Sequence, residues 1–234
     1  MRLAFLTRRA SEHAPALEYW CLRLATGAIA ASALLVEFAA AQTAASDAPP
    51  AASDPAPAAG RGPLSTGLYA GELFKGGLPE FFYRPQDSQF TPSYVAVLNF
   101  DYRAYKFEHL PLQFETEFDI GKRFHGANQW DFEVAPFFRW TSLPWNKWLY
   151  TNVRVGALGA SYATGISAWE RQNSGNDKGS RWLEFLVPEL TFASGPNSRG
   201  EAFIRVHHRS GLYGLINGVS GGSNYLSVGY RVFW

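Results

Sequence analysis

Residues Leu110–Ile120 read LPLQFETEFDI, and their side chains alternate between a mainly apolar set and a charged or amide set. The first set consists of Leu110, Leu112, Phe114, Thr116, Phe118 and Ile120. The second consists of Gln113, Glu115, Glu117 and Asp119. Because successive side chains of a β-strand point to opposite faces, this period of two predicts a strand with one apolar and one acidic surface.

The same alternation recurs along the chain from Gly67 onward. The further predicted strands are Gly67–Phe74, Tyr94–Ala104, Asp131–Trp140, Trp148–Tyr162, Arg181–Ala193, Glu201–Ser210 and Asn224–Trp234. Together with residues 110–120 they make eight, the smallest number in transmembrane barrels. The sequence therefore predicts an all-β fold, an eight-stranded antiparallel transmembrane β-barrel.

The connections between these strands favour the same architecture. Four are predicted to be long, namely Lys75–Ser93, Lys122–Trp130, Ala163–Ser180 and Gly211–Ser223. Three are predicted to be short, namely Tyr105–His109, Thr141–Lys147 and Ser194–Gly200. Long outer loops that alternate with short periplasmic turns are typical of outer-membrane barrels, and both barrel ends would then be periplasmic. Pro136 and Pro188 fall inside predicted strands, where each removes a ladder donor and requires a bulge.

The amino-terminal residues 1–41 are predicted to be a cleaved secretory signal. Arg8, Arg9 and Arg23 precede the apolar run Leu24–Phe38, and Ala39–Ala41 offers a small-residue cleavage site. The alternative is a membrane anchor, although the run is short for a membrane span.

The mature protein would contain no cysteine, because Cys21 is the only one in the sequence. Residues 42–65 are rich in Ala, Pro, Ser and Gly and are predicted to be a disordered linker. The barrel would then occupy residues 66–234.

Composition narrows the location and the partners. Aromatic residues make up 16% of the chain, which suits a surface in contact with lipid, and the formal net charge of +1 without a basic block argues against a nucleic-acid partner. The last predicted strand ends in Val232-Phe233-Trp234, which resembles the assembly signal of bacterial outer-membrane proteins. We therefore expect an outer-membrane location, with outer-membrane lipid and the barrel assembly machinery as partners. A soluble barrel or sandwich is the alternative.

The second face of the strands carries charges of both signs, which we expect to point inward and to neutralise one another. This predicted inward set is Asp101, Arg103, Glu115, Glu117, Asp119, Glu133, Arg139, Arg154, Glu189, Arg205, His207, Arg209 and Arg231. By this parity His207 is a structural residue.

The segment Val206–Ser210 contains the candidate site. His208 and Ser210 lie two residues apart on the lipid-facing side of a predicted strand, where a serine nucleophile can meet its base. Two residues qualify by parity as the group that orients the imidazole. Asn224 opens the last strand, and Glu184 lies near the start of the predicted strand Arg181–Ala193, which the following turn folds back so that Glu184 comes roughly opposite Ser210.

An outward His-x-Ser on the penultimate strand, a glycine-containing loop and a polar residue opening the last strand resemble the PagL-type lipid A 3-O-deacylases. The resemblance covers roughly the last 35 residues by motif and the whole predicted barrel by strand count. It implies that Ser210 is the nucleophile and His208 the base. The family has glutamate where this chain has Asn224, and usually asparagine where it has Gly211.

The resemblance implies an outer-membrane ester hydrolase that removes the 3-O-linked acyl chain of lipid A. Asn224 or Glu184 would position His208, and backbone amides within Gly211–Gly222 would bind the oxyanion. Lipopolysaccharide is then the substrate, and no cofactor or metal is expected, because no His, Cys or carboxylate cluster has ligand spacing. The alternatives are a catalytically inactive barrel with a structural or adhesion role, and a lipid A acyltransferase with its active residues in the outer loops.

Overall fold

The computed structural model describes residues 61–234, and the predicted signal and most of the predicted linker lie outside this range. The described residues form one closed antiparallel barrel in which each strand pairs with its neighbours in sequence and β1 closes against β8. The strands are β1 (Leu64–Lys75), β2 (Gln89–Lys106), β3 (Leu112–Phe124), β4 (Gln129–Trp140), β5 (Tyr150–Ala163), β6 (Trp182–Ala193), β7 (Gly200–Ser210) and β8 (Gly222–Phe233). The prediction of an eight-stranded antiparallel barrel is confirmed.

Two short helices lie in the connections, α1 (Leu78–Tyr83) and α2 (Ala168–Gln172), and a 3₁₀ turn follows α1. Among the residues that the structure describes, no helix has the length and apolar character needed to cross a membrane. Strand β1 begins at Leu64, two residues before the predicted start of the barrel.

The connections define two ends of the barrel. The loop end carries residues 76–88, 125–128, 164–181 and 211–221, whereas the turn end carries residues 107–111, 141–149 and 194–199. The predicted alternation is wrong at one place, because the β3–β4 connection has four residues rather than a long loop. His125 and Gly126 both adopt positive φ angles there and reverse the chain tightly. The β4–β5 connection at the turn end is longer than this β3–β4 connection at the loop end.

The bulge predicted at Pro136 is present, whereas at Pro188 the β6–β7 ladder is interrupted without a change of register. The β4–β5 register shifts between Val134 and Phe137, which places Pro136 in a bulge. Pro188 lies where the β6–β7 ladder is interrupted between the pairs Leu186–His208 and Glu189–Arg205. Each proline therefore lies beside an irregularity in one of its two ladders, as expected for a residue without a backbone donor.

The barrel interior is a charged network, as the parity argument predicted. Six arginines are at most 1% exposed, and each forms ion pairs with buried carboxylates. They are Arg123, Arg139, Arg154, Arg205, Arg209 and Arg231. Arg103 is the one predicted inward residue that is only half-buried, and its guanidinium donates to the Arg61 carbonyl 3.1 Å away.

The barrel exterior is apolar. Exposed aliphatic and aromatic side chains occupy the outward positions of strands, including Leu98, Phe118, Phe132, Val155 and Leu190. Aromatic residues gather at both strand ends: Phe124, Trp130 and Trp182 at the loop end, and Tyr102, Trp140 and Trp234 at the turn end. This distribution is that of a lipid-facing belt between two aromatic girdles.

Candidate active site

The strand register brings the four predicted site residues to one place at the loop end. Across β7 and β8, His208 lies opposite Asn224. Across β6 and β7, Glu184 lies opposite Ser210. All four lie on the outward face, because their neighbours His207 and Arg209 point into the barrel and are fully buried.

The outward face is covered at this point rather than bare. Ser210 is 8% exposed, Asn224 7% and Glu184 3%. The cover comes from the β1–β2 connection around Gly76–Glu80 and from the β7–β8 connection around Leu212 and Tyr213. Together with the strands, these segments enclose a pocket of ≈ 560 Å³ that all four predicted residues line. The site is therefore a cleft walled by loops at the edge of the apolar belt.

Asn224 is held from two sides. Its Oδ1 is hydrogen-bonded to Nδ1 of His208. Its Nδ2 donates to the carbonyl oxygen of Gly76, 2.8 Å away. An amide nitrogen can only donate, so the contact with Gly76 fixes which end of the amide faces the imidazole. Gly76 has φ +113°, a backbone conformation that glycine adopts without strain, and this carries the carbonyl to the site.

The orientation of Asn224 sets the state of His208. Because Oδ1 can only accept, Nδ1 of His208 must carry the proton that it donates to Asn224. In a neutral imidazole the other nitrogen then has a free lone pair. Nε2 of His208 is thus the basic atom, which is the arrangement that a general base needs.

Ser210 and His208 are not hydrogen-bonded to each other in this structure. The Ser210 hydroxyl instead accepts from the backbone N–H of Leu212 at 3.5 Å. Residues two apart on a strand are separated by about 7 Å along it, a gap that an imidazole and a hydroxymethyl group can bridge by rotation. Catalytic hydrogen bonds are often long in the absence of substrate and shorten when it binds.

Glycine at position 211 follows from the packing of the β7–β8 connection. A Cβ on Gly211 would lie 2.0 Å from the carbonyl oxygen of Val219. The Gly211 N–H already donates to the Gly221 carbonyl. An asparagine side chain, usual at this position in the PagL-type family, has no room here. The Leu212 N–H, which points at the Ser210 hydroxyl, is the donor nearest to the nucleophile.

Glu184 is held away from the imidazole. Its carboxylate accepts from the backbone N–H of Leu158, which lies at the β5 bulge with φ +58°. The neighbour of His208 on β6 is Leu186, not Glu184. Of the two residues that parity allows as the orienting group, the structure brings Asn224 to His208 and Glu184 beside Ser210.

Three contributors to the site carry little sequence signal. Gly76 is the first residue of a Gly-Gly pair, which marks a turn but not its target. Leu158 and Leu212 adopt positive φ angles that nothing in their residue type predicts. These contributions depend on how connections fold over the barrel.

No known family matches the sequence, and no curated protein matches it. Among solved structures, the barrel is similar to Neisserial surface protein A, with a TM-score of 0.42 and 12% sequence identity. The alignment covers 75% of this chain and 99% of that one.

Proposed function

We propose that this protein is an outer-membrane ester hydrolase that removes the 3-O-linked acyl chain of lipid A. The outer-membrane location is supported by the barrel surface, where an apolar belt lies between aromatic girdles while the charges are enclosed within. A closed barrel satisfies all of its backbone hydrogen bonds, which makes it one of the two architectures that can span a bilayer.

The orientation of the imidazole carries the proposal. Asn224, anchored on the Gly76 carbonyl, keeps the proton of His208 on Nδ1 and leaves Nε2 as the base. The nearest hydroxyl on the same face of β7 is that of Ser210. These three residues are of the types that serve as nucleophile, base and orienting group in hydrolases, with asparagine in the third role as in papain-like sites.

The proposed reaction has two halves. Ser210 Oγ attacks the ester carbonyl, its proton passes to His208 Nε2, and a tetrahedral intermediate forms whose oxyanion the Leu212 N–H stabilises. Collapse of the intermediate breaks the ester C–O bond, and His208 returns the proton to the departing sugar hydroxyl. Water, activated by the same imidazole, then hydrolyses the acyl-serine and releases the fatty acid.

The place of the pocket favours a lipid with a large polar head as substrate. Leu186 and the apolar strand surface continue from the pocket along the barrel, where an acyl chain in a bilayer would lie. The loop side offers polar backbone and the carboxylate of Glu80 to a head group. Lipid A combines a polar sugar head with ester-linked acyl chains, which fits a pocket that is polar on its loop side and apolar on its strand side.

Incubation of the purified, folded protein with lipid A tests the proposal, with the products read by mass spectrometry. Loss of one hydroxyacyl mass from the 3-position is expected for the parent, and no loss for Ser210→Ala or His208→Ala. The matched controls are Ser142→Ala and His109→Ala at the turn end, which should keep parent activity.

The other functions give different products. A lipid A acyltransferase would add a chain mass, whereas a structural or adhesion barrel would leave lipid A unchanged. Unchanged lipid A with folded parent protein would refute the hydrolase assignment. Heat-dependent mobility on gels shows whether each variant is folded.

A further inference from the structure

A second cluster of chemically active side chains lies inside the barrel, on the opposite face of β7 from the candidate active site. It consists of Asp119 on β3, Glu133 on β4 and His207 on β7. One donor atom of each lies within 4.8 Å of the other two, and the side chains are at most 1% exposed. Asp119 and Glu133 are directly opposite each other across the β3–β4 ladder.

Each member of the cluster has a buried donor atom without a hydrogen-bond partner. These atoms are Asp119 Oδ1, Glu133 Oε2 and His207 Nε2. His207 Nε2 lies 3.1 Å from Glu133 Oε1, but without hydrogen-bond alignment. Leaving one buried polar atom unsatisfied costs about 1–3 kcal/mol, so three in one place call for a ligand.

Tyr69 prepares the imidazole to bind a cation. Its hydroxyl donates to Asp119 Oδ2 at 2.7 Å and lies 3.0 Å from His207 Nδ1. A phenol has one proton, so His207 Nδ1 must be the donor in the second contact. The lone pair of the neutral imidazole is then on Nε2, which faces the two carboxylates. Metal-binding histidines are oriented in this way through their other nitrogen.

The charges around the cluster are unbalanced. In the turn half of the barrel, Arg61, Arg139, Arg154, Arg205 and Arg231 pair with Asp101, Glu115, Glu117, Glu189 and Glu201. In the loop half, Arg123 and Arg209 pair with Asp131 and Glu170.

Asp119 and Glu133 are therefore in excess over the arginines that form ion pairs in the interior of the described barrel; Glu184, also buried, lies on the outward face. Arg205, the arginine nearest to Asp119, is 3.6 Å away and already hydrogen-bonded to Glu117 and Glu189. Even with His207 protonated, the two carboxylates would carry one more negative charge than the imidazole balances, and excess buried charge is costly.

We propose that Asp119, Glu133 and His207 bind one divalent first-row transition-metal ion inside the barrel. Two carboxylates and an imidazole suit zinc and its neighbours, whereas calcium and magnesium prefer oxygen ligands alone. Zinc takes imidazole and carboxylate ligands at about 2.0–2.2 Å. The ion neutralises the excess charge and ties β3, β4 and β7 together, independently of the ester hydrolysis.

Metal analysis of the refolded chain tests the site directly. The full-length protein, without a histidine tag, is unfolded in urea with chelator, refolded into detergent with or without zinc, and desalted. Elemental analysis should find about one zinc per chain, because zinc sites form together with the fold. X-ray absorption of that sample should show nitrogen and oxygen ligands. Folded parent protein without stoichiometric zinc, or with zinc in a different ligand environment, would overturn the proposal.

Substitutions at the site provide a second test, because they should abolish zinc binding without lowering heat stability in chelator. Asp119→Asn combined with Glu133→Gln should lose the zinc, yet in chelator it should withstand heat at least as well as the parent, since the unbalanced charges are gone. Zinc should raise the unfolding temperature of the parent but not that of this double variant. The matched control, Glu108→Gln combined with His125→Gln, changes exposed groups and should bind zinc normally. A site variant that keeps its zinc, or a control that loses it, contradicts the assignment.

Discussion

Asn224 shows how a single amide determines the chemistry of its neighbour. The Gly76 carbonyl requires a donor, and the His208 Nδ1–H requires an acceptor. An amide satisfies both contacts at once without a change of protonation. A carboxylate at this position would strengthen the imidazolium electrostatically but would face the Gly76 carbonyl with a negative charge.

Replacing Asn224 with alanine should lower lipid A deacylation by roughly 10²–10⁴-fold, because nucleophile and base remain while the imidazole loses its orientation. Asn224→Asp should recover much of the rate, since a carboxylate also accepts from Nδ1–H. Product release measured by mass spectrometry gives the rates.

Glu184→Gln is the comparison variant for this prediction. Its amide oxygen can still accept from the Leu158 N–H, so its rate should stay within a few-fold of the parent. An inactive Glu184→Gln beside a fully active Asn224→Ala would transfer the orienting role to Glu184.

The part of the candidate site that lies on strands could be predicted from the sequence by strand parity. Parity and hairpin pairing placed Glu184 opposite Ser210, and the register confirms this pair. The contact between His208 and Asn224 follows from the same reasoning across β7 and β8. The cover of the pocket was beyond prediction, because Gly76 approaches Asn224 from 148 residues away through a loop of its own.

At the scale of elements, α2 anchors the longest connection into the barrel. Glu170 extends from α2 to Arg209 at 2.7 Å, to Arg123 at 3.0 Å and to the Ser223 hydroxyl at 2.9 Å. Burial alone would raise the pKa of Glu170, but the two guanidinium groups outweigh it and lower this pKa to about 2. A five-residue helix is thus fastened to β3, β7 and β8 by one carboxylate.

Glu170→Gln should destabilise the folded barrel at neutral pH by about 3 kcal/mol, because it leaves two buried arginines short of a charge. The carboxylate is ionised in the folded state down to pH of about 2, whereas in the unfolded chain it titrates near its ordinary value of 4.5. Its contribution is therefore complete above that value and declines as the pH falls toward 2.

Urea unfolding in detergent at pH 7 and at pH 3 measures this difference between parent and Glu170→Gln. The difference in the free energy of unfolding between parent and variant should be smaller at pH 3 than at pH 7. Glu108→Gln, on the exposed β2–β3 turn, serves as the control with an equal change of charge. A gap that widens in acid would show that Glu170 is not stabilised as an anion.

Strand positions could be predicted closely, and their ends less so. Strand β3 continues to Phe124, past the predicted end at Ile120. The sequence predicts a loop from Lys122 onward, and Lys122 stands on the otherwise apolar face of this strand. The Lys122 ammonium instead lies over the Trp130 ring at 5.0 Å and donates to Asn128. A long cationic side chain at a membrane interface can pack its stem on an aromatic ring while its charge reaches polar groups. The strand therefore continues beyond the end of its apolar pattern.

At the scale of the whole molecule, the arrangement of loops predicts which end faces outward. A cysteine at Lys178, in the longest connection, should react with an impermeant maleimide in intact cells. One at Asn197, in the β6–β7 turn, should react only after the envelope is opened. Lys178 is preferable to the nearby Gly175, where φ is +73° and a Cβ would lie 2.2 Å from the Ser220 hydroxyl.

The protein without an introduced cysteine is the background for this labelling. The reverse labelling pattern would mean that the barrel has the opposite orientation, with the candidate site at the periplasmic side. Equal labelling of both positions in intact cells would show that the reagent crosses the membrane.

Overall architecture was the most predictable level, because a period of two repeated eight times has few alternatives. Long-range assembly was the least predictable. Asp119, Glu133 and His207 are spread over nearly ninety residues, so their convergence has no spacing signature of the kind that reveals a metal site within one segment. Closure of the barrel, not the order of residues, makes them neighbours.

The buried arginine network also determines the electrical behaviour of the barrel. Guanidinium and carboxylate groups span the lumen at several levels, and an eight-stranded barrel has little space beyond its side chains. Inserted in a planar bilayer under voltage, the protein should behave as an insulator and show no single-channel current steps. Steady conductance from the purified barrel would mean that water fills a continuous path through the lumen. The ion pairs that hold its arginines in place would then have to break.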